Sequence, residues 1–246
     1  MELIPAIDLR GGGVVRLERG DDAARTRYPR DPVDVLAEAR SAGVRRIHVV
    51  DLDAAFGEPP QRPLLERLTV AGAGLELQLG GGLRDRGAVE WALAAGFRRA
   101  VVTSLLVRDP ALFAELAHAW PERLIAALDV RGGSLRHGGW RERAEEPLET
   151  WCERLREVPI AEILVTDIER DGALAGPNLE LAVRLARACR HPALLSGGVR
   201  GAADLVSAAR CPEIAGAIVG KALYDGALTL ADGLRACSGR GAEEVS

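Results

Sequence analysis

The chain carries one half-structure twice. Ile4-Pro5-Ala6-Ile7-Asp8-Leu9-Arg10-Gly11-Gly12 returns as Ile125-Ala126-Ala127-Leu128-Asp129-Val130-Arg131-Gly132-Gly133. Each copy is a short apolar run of the kind that forms a strand buried on both faces, and each ends in one carboxylate followed by a Gly-Gly turn. The correspondence continues downstream. Ile47-His48-Val49-Val50-Asp51 matches Ile163-Leu164-Val165-Thr166-Asp167, and Leu79-Gly80-Gly81-Gly82-Leu83-Arg84 matches Leu195-Ser196-Gly197-Gly198-Val199-Arg200. Ala100-Val101-Val102-Thr103-Ser104 matches Ala217-Ile218-Val219-Gly220-Lys221. The offset stays at about 116 to 121 residues, far beyond the roughly 20 to 50 of a solenoid repeat. Such a unit is half a barrel. The expected fold is α/β: a single (β/α)8 TIM barrel with a two-fold half-barrel internal repeat, its halves at about 1–120 and 121–237. A small polar tail, Ser238 to Ser246, is expected to fray.

The length, 246 residues, suits one such barrel. Apolar or β-branched runs alternate with longer amphipathic ones, the pattern of parallel β/α units. Strands are expected near 3–8, 46–51, 75–79, 99–103, 124–129, 162–166, 193–196 and 216–219. Helices are expected near 33–43, 61–71, 85–96, 109–119, 147–157, 178–189, 200–210 and 228–237. Several open on Asp31-Pro32, Asp109-Pro110 or Pro177-Asn178, where Asp or Asn can cap and Pro suits a first turn.

In a barrel of this kind the strand C-terminal ends and the loops after them form the active face. Asp8 and Asp129 then stand on opposite sides of the mouth. An aspartate often only starts a turn, but two in register point to a reaction that removes a proton at one place and delivers one at another. The Gly-Gly pairs after strands three and seven expose N–H groups at helix N-termini, where a phosphate gains hydrogen bonds and the favourable end of the helix dipole. Thr103 and Ser104 complete one cup; Gly220 and Lys221, the only lysine in the chain, complete the other. A lone Gly-Gly is usually a turn, whereas two in symmetric positions imply a long ligand with a phosphate at each end. Lys221 has two other readings, an exposed helix-start residue and a Schiff-base lysine.

Thr166, at the end of strand six, can hydrogen-bond a reacting group or simply suit a strand. His48 reads as a packed structural histidine. Arg16, on a hairpin after strand one, can clamp an anion or stay solvated. The segment Ser134 to Arg143 reads as a long flexible loop whose Trp140 is placed to act as a lid over a flat ring.

Composition removes other classes. The formal charge of -4 speaks against general nucleic-acid binding, which needs a basic face. Cys152, Cys189, Cys211 and Cys237 lack Cys-x-x-Cys spacing and the four histidines form no zinc pattern, so unpaired thiols and no metal are expected. With no signal-peptide pattern at its start and no apolar run near the roughly 20 residues of a membrane span, the protein is expected in the cytoplasm, off the membrane, as a monomer.

The stretches IPAIDLRGG, HVVDLDAAFG, LGGGLR, ALDVRGG, VTDIERDGALAGPN, SGGVR and AIVGKALYDG cover almost the whole chain. In that order they resemble the phosphoribosylformimino-aminoimidazole-carboxamide ribotide isomerase family of histidine biosynthesis. The resemblance implies a cofactor-free Amadori rearrangement, aminoaldose to aminoketose, on a small-molecule substrate bearing two ribosyl phosphates. It makes Asp8 the base that takes the sugar C2 proton, Asp129 the acid that helps open the ribose ring, and Thr166 an assistant. Arg16, Asp171 and Trp140 would position substrate. Gly81, Thr103 and Ser104 would hold one phosphate, and Gly172, Gly198, Gly220 and Lys221 the other.

Two departures stand out. The family's Gly-Thr-Ala-Ala after strand four reads Thr103-Ser104-Leu105-Leu106 here, so a side chain replaces bare backbone at one phosphate cup. Bifunctional relatives that also isomerise phosphoribosyl anthranilate for tryptophan synthesis place an arginine two residues before the loop tryptophan, where this chain has Gly138. The single substrate is therefore favoured over the dual one. The sister cyclase, marked by a lysine near strands one and two, is disfavoured, and so is a non-catalytic phosphate-ligand binder, since both acids are present.

Overall fold

In the computed structural model, which describes residues 1–239, the apolar runs close into a ring. The expected frayed tail lies outside the described residues from 240 onward. Among the described residues, eight parallel strands form the barrel: Glu2–Arg10, Arg46–Asp51, Glu76–Gly80, Arg99–Val102, Leu124–Arg131, Glu162–Asp167, Ala193–Ser196 and Ile214–Val219. Each pairs with its neighbour in sequence, and the first pairs with the eighth, Ile4 opposite Ile218, so no edge is left open. The chain is a (β/α)8 barrel.

Helices Pro32–Ser41, Arg62–Ala71, Arg86–Ala94, Pro110–Ala119, Leu148–Leu155, Leu179–Cys189, Ala202–Ala209 and Leu230–Cys237 cover the outside. The caps form as their residue types direct. Asp31 accepts from the Val33 N–H at 2.8 Å, Asp109 from Leu112 at 2.9 Å and Asn178 from Leu181 at 3.1 Å. Among the described residues no helix is long and apolar enough to cross a membrane.

Alternation of side chains along each strand divides the core in two. One face packs against the helices; the other fills the barrel with Ile4, Ala6, Val101, Ile125, Ala127, Leu164, Leu194 and Ile218. Beneath this apolar floor, at the strand starts, the repeat breaks its own symmetry. Arg46 and Glu162 occupy equivalent positions in the two halves and meet across the barrel: one guanidinium nitrogen donates to both carboxylate oxygens at 3.0 and 2.7 Å, while the other lies 3.0 Å from Glu2. Both partners are only 7% exposed, so water screens the pair weakly. Arg46→Ala should lower unfolding free energy by about 3–5 kcal/mol, because Glu162 is left buried and unpaired. Arg46→Met with Glu162→Leu should be neutral or stabilising. Urea midpoints of the two variants check both statements.

Two differences from expectation lie on the top face. The hairpin after strand one is larger than its sequence suggests: Gly13–Glu18 pairs with Asp21–Arg27, whose residues are mostly exposed and carry no apolar alternation. The segment after strand five is a second hairpin instead of a flexible loop. Ser134–His137 returns along strand five with Arg136 opposite Asp129, and Glu142–Arg143 pairs with it in turn. Gly138, Gly139 and Trp140 make its tip, all at positive φ.

Candidate active site

All thirteen residues given a catalytic or binding role from the sequence line one cavity at the C-terminal ends of the strands, and so does His48, read as structural. The pseudosymmetry also separates two kinds of aspartate there. Asp51 and Asp167, the second repeated pair, fasten loops: Asp51 accepts from the Ala54 N–H at 3.1 Å and the Gln61 N–H at 2.8 Å, and Asp167 accepts from the Asn178 amide at 2.7 Å. Asp8 and Asp129 line the cavity from diametrically opposed strands.

Asp8 is ion-paired. Arg16, on the hairpin after strand one, donates to its carboxylate at 2.5 Å and to the Ala6 carbonyl at 2.7 Å. The guanidinium also faces the Tyr224 ring at 5.3 Å and lies so close to Gly220 that a Cβ there would sit 2.1 Å from it. Arg16 is therefore held between the first acid and the Gly220 end of the second cup. Burial raises the Asp8 pKa and Arg16 pulls it back, leaving it above the ordinary carboxylate value.

Asp129 is also raised by burial, opposed by hydrogen bonding from Thr166, Trp140 and Thr103. The Thr103 hydroxyl donates to it at 3.2 Å. Ser104 accepts from the Gly138 N–H of the second hairpin at 3.0 Å. The two hydroxyls expected at the first phosphate cup thus bind the Asp129 carboxyl and the overlying loop. Trp140 spans the mouth with its ring against the turn of the first hairpin, where a Cβ on Gly20 would approach it to 2.4 Å.

Asp171 is the residue whose character the sequence does not reveal. It sits after strand six, on a turn tied to the first hairpin by an Arg19 N–H to Asp171 carbonyl bond of 3.0 Å. The next residue, Gly172, has φ +70, and a Cβ there would lie 2.5 Å from the Leu17 carbonyl, so only glycine permits this approach. Burial, joined by the charges of Asp8 and Asp129 against the opposing Arg16, pushes the Asp171 carboxyl up to about 7. A carboxyl that still holds its proton near neutrality is a ready donor.

The glycine pairs do not sit at helix N-termini as expected, since the helices that follow them begin only at Arg86 and Ala202. Gly81, Gly82, Gly197 and Gly198 all adopt positive φ. Packing enforces them: a Cβ on Gly81 would meet the Asp51 carbonyl at 2.2 Å, and one on Gly198 the Gly176 carbonyl at 2.6 Å. Lys221 begins the short helix Lys221–Tyr224 at the second cup and its amine pairs with Asp225 one turn on. That pairing leaves it at the rim, away from the desolvated setting a Schiff-base lysine needs.

Comparison with known proteins points to one family. Residues 2–229 match the family model described as histidine biosynthesis protein. The chain is 40% identical over 236 residues to a protein of Paracoccus denitrificans, covering 96% of this chain and 99% of the relative. It is 42% identical over 241 residues to one of Sorangium cellulosum, covering 97% and 100%. A third, from Nitrobacter hamburgensis, is 42% identical over 237 residues, covering 95% and 96%. Each relative carries the name 1-(5-phosphoribosyl)-5-((5-phosphoribosylamino)methylideneamino) imidazole-4-carboxamide isomerase.

Proposed function

The chain belongs to the histidine biosynthesis protein family, and from that premise we propose that it isomerises the bisphosphorylated imidazole-carboxamide ribonucleotide named by its relatives, by an Amadori rearrangement. The observation that carries the proposal is a cavity holding Asp8 and Asp129 on opposed strands between two glycine cups. The cup of Gly81, Thr103 and Ser104 takes one phosphate; that of Gly172, Gly198, Gly220 and Lys221 takes the other. The backbone N–H groups do most of the holding, since the Thr103, Ser104 and Lys221 side chains have partners within the protein.

Between the phosphates the chemistry needs one proton delivered and one removed. Protonation of the ribose ring oxygen breaks its bond to C1 and leaves an iminium; loss of the C2 proton then gives an enolamine, which becomes the aminoketose. Asp8 is the base, and Arg16 stabilises its carboxylate between turnovers. The donor is drawn from the pair Asp129 and Asp171, both raised by burial, with Thr166 and Trp140 orienting Asp129. Carbon oxidation states exchange within one molecule, so the reaction needs no external redox partner.

The same reading makes the protein a cytoplasmic monomer that acts on a small molecule and not on nucleic acid. Its acidic balance and four free cysteines support this. A paired assay tests the substrate. Purified protein should convert the imidazole-carboxamide aminoaldose at a rate far above any conversion of phosphoribosyl anthranilate, because Gly138 stands where bifunctional relatives place an arginine. Equal turnover of both would establish the dual-specificity reading; turnover of neither would leave a phosphate-ligand binder.

A further inference from the structure

One polar pair in the barrel interior has no counterpart in the other half. His48 on strand two and Gln78 on strand three sit side by side, opposite each other in strand register. Their repeat equivalents on strands six and seven, 116 residues on, are Leu164 and Leu194, both in the apolar floor. The fold therefore closes this layer with two leucines where nothing else is asked of it. Burying His48 at 6% exposure and Gln78 at 0% is the costlier solution. It is also incomplete, since the Gln78 carbonyl oxygen is buried without a partner.

The geometry gives the pair a direction. The Gln78 amide donates to His48 Nδ1 at 3.0 Å, which leaves the ring proton on Nε2. His48 lines the cavity, one rung below Asp8 on the adjacent strand: Ala6 pairs with His48, and Asp8 with Val50. Gly80 clears space for the ring, a Cβ there falling 3.3 Å from His48 Cε1 and 3.8 Å from Nε2. Burial and, after it, the Arg16 charge push the His48 pKa down to about 3, so the imidazole stays neutral at working pH.

We propose that His48 is a substrate-binding residue, locked by Gln78 in one tautomer so that its Nε2–H donates to a sugar oxygen of the reacting aminoaldose at the cavity floor. It fixes the sugar beneath Asp8 and competes for no proton. The inference rests on the isomerase reading for the identity of the sugar. A neutral donor suits a hydroxyl or ring oxygen, and a phosphate is better served by the glycine cups above.

The test uses the full chain with His48→Leu/Gln78→Leu, which copies the apolar floor of the other half. Its Tm should equal or exceed that of the parent, because the unpaired amide oxygen is gone. Its kcat/KM should fall by about 10- to 100-fold, the effect of losing one buried hydrogen bond to substrate. Affinity for ribose 5-phosphate should fall alongside, while affinity for inorganic phosphate stays. His48→Gln, which keeps an amide donor at similar reach, should recover part of the loss. Parent-like kcat/KM and ribose 5-phosphate affinity in the double variant would overturn the proposal. So would a lowered Tm with His48→Gln no better than the leucine pair, since that marks a purely structural role. A parent that binds ribose 5-phosphate through His48 yet does not isomerise the proposed substrate would sink the isomerase reading and leave this contact standing.

Discussion

Asp8→Asn is expected to lower kcat by about 100- to 10,000-fold, the range that a positioned general base contributes, while the bisphosphorylated substrate still binds. The amide keeps the size of the carboxylate but cannot take the C2 proton. The glycine cups that hold the phosphates are untouched, so equilibrium binding should change little. Arg16 loses its ionic partner but retains the Ala6 carbonyl at 2.7 Å and the Tyr224 ring, and a thermal melt will show whether the fold tolerates the change. Parent-like turnover in a folded Asp8→Asn variant removes Asp8 from the base role.

The second large effect is a pH dependence that runs through Asp171. A donor must hold its proton, and Asp171 does so below about 7. kcat/KM should therefore fall as pH rises past that value. On the acid side it should fall as Asp8 takes up a proton, at a pH above the ordinary carboxylate range because burial has raised that group too. The carboxyls interact, so the two limbs belong to the set as a whole. Asp171→Asn should erase the alkaline limb and cut the rate by about 100- to 10,000-fold. Stability also falls with rising pH, over a lower window. A carboxyl with a raised pKa makes the folded state bind its proton more tightly than the unfolded state. Its contribution is therefore greatest at low pH and declines as pH rises from the ordinary carboxylate value toward about 7. The amide removes that decline, so Asp171→Asn should melt higher than the parent at pH 8 and not at pH 4. An alkaline limb that survives in Asp171→Asn and disappears in Asp129→Asn would assign the donor role to Asp129 alone.

The difference between these two aspartates bears on what a sequence can reveal. Asp8 and Asp129 are legible because each ends a repeated apolar strand, and strand order alone sets them across the mouth from each other. The eight strands and eight longer helices are legible for the same reason: burial on one or both faces writes a period into the chain. Asp171 has no such mark. Its character comes from burial together with Asp8 and Asp129, brought near from strands far away in the chain. Arg16 is similar, since on a hairpin it reads as a free cation until the fold sets it against Asp8 and Gly220. The hairpin Ser134–His137 was hidden by its brevity: Leu135 and His137 do alternate inward, but four residues in a Gly-rich polar stretch read as loop. The His48–Gln78 pair was visible only as a polar mismatch against Leu164 and Leu194, which the repeat aligns and the barrel turns into a shared layer.

The position of one bound ligand tests the proposed mechanism most directly. A crystal structure with the bisphosphorylated aminoketose product bound should place one phosphate on the backbone of Gly81 and Ser104 and the other on that of Gly198 and Gly220. The ketose carbons should then lie between Asp8 and Asp129. A product seated with either phosphate outside these cups, or with its sugar out of reach of Asp8, would contradict it.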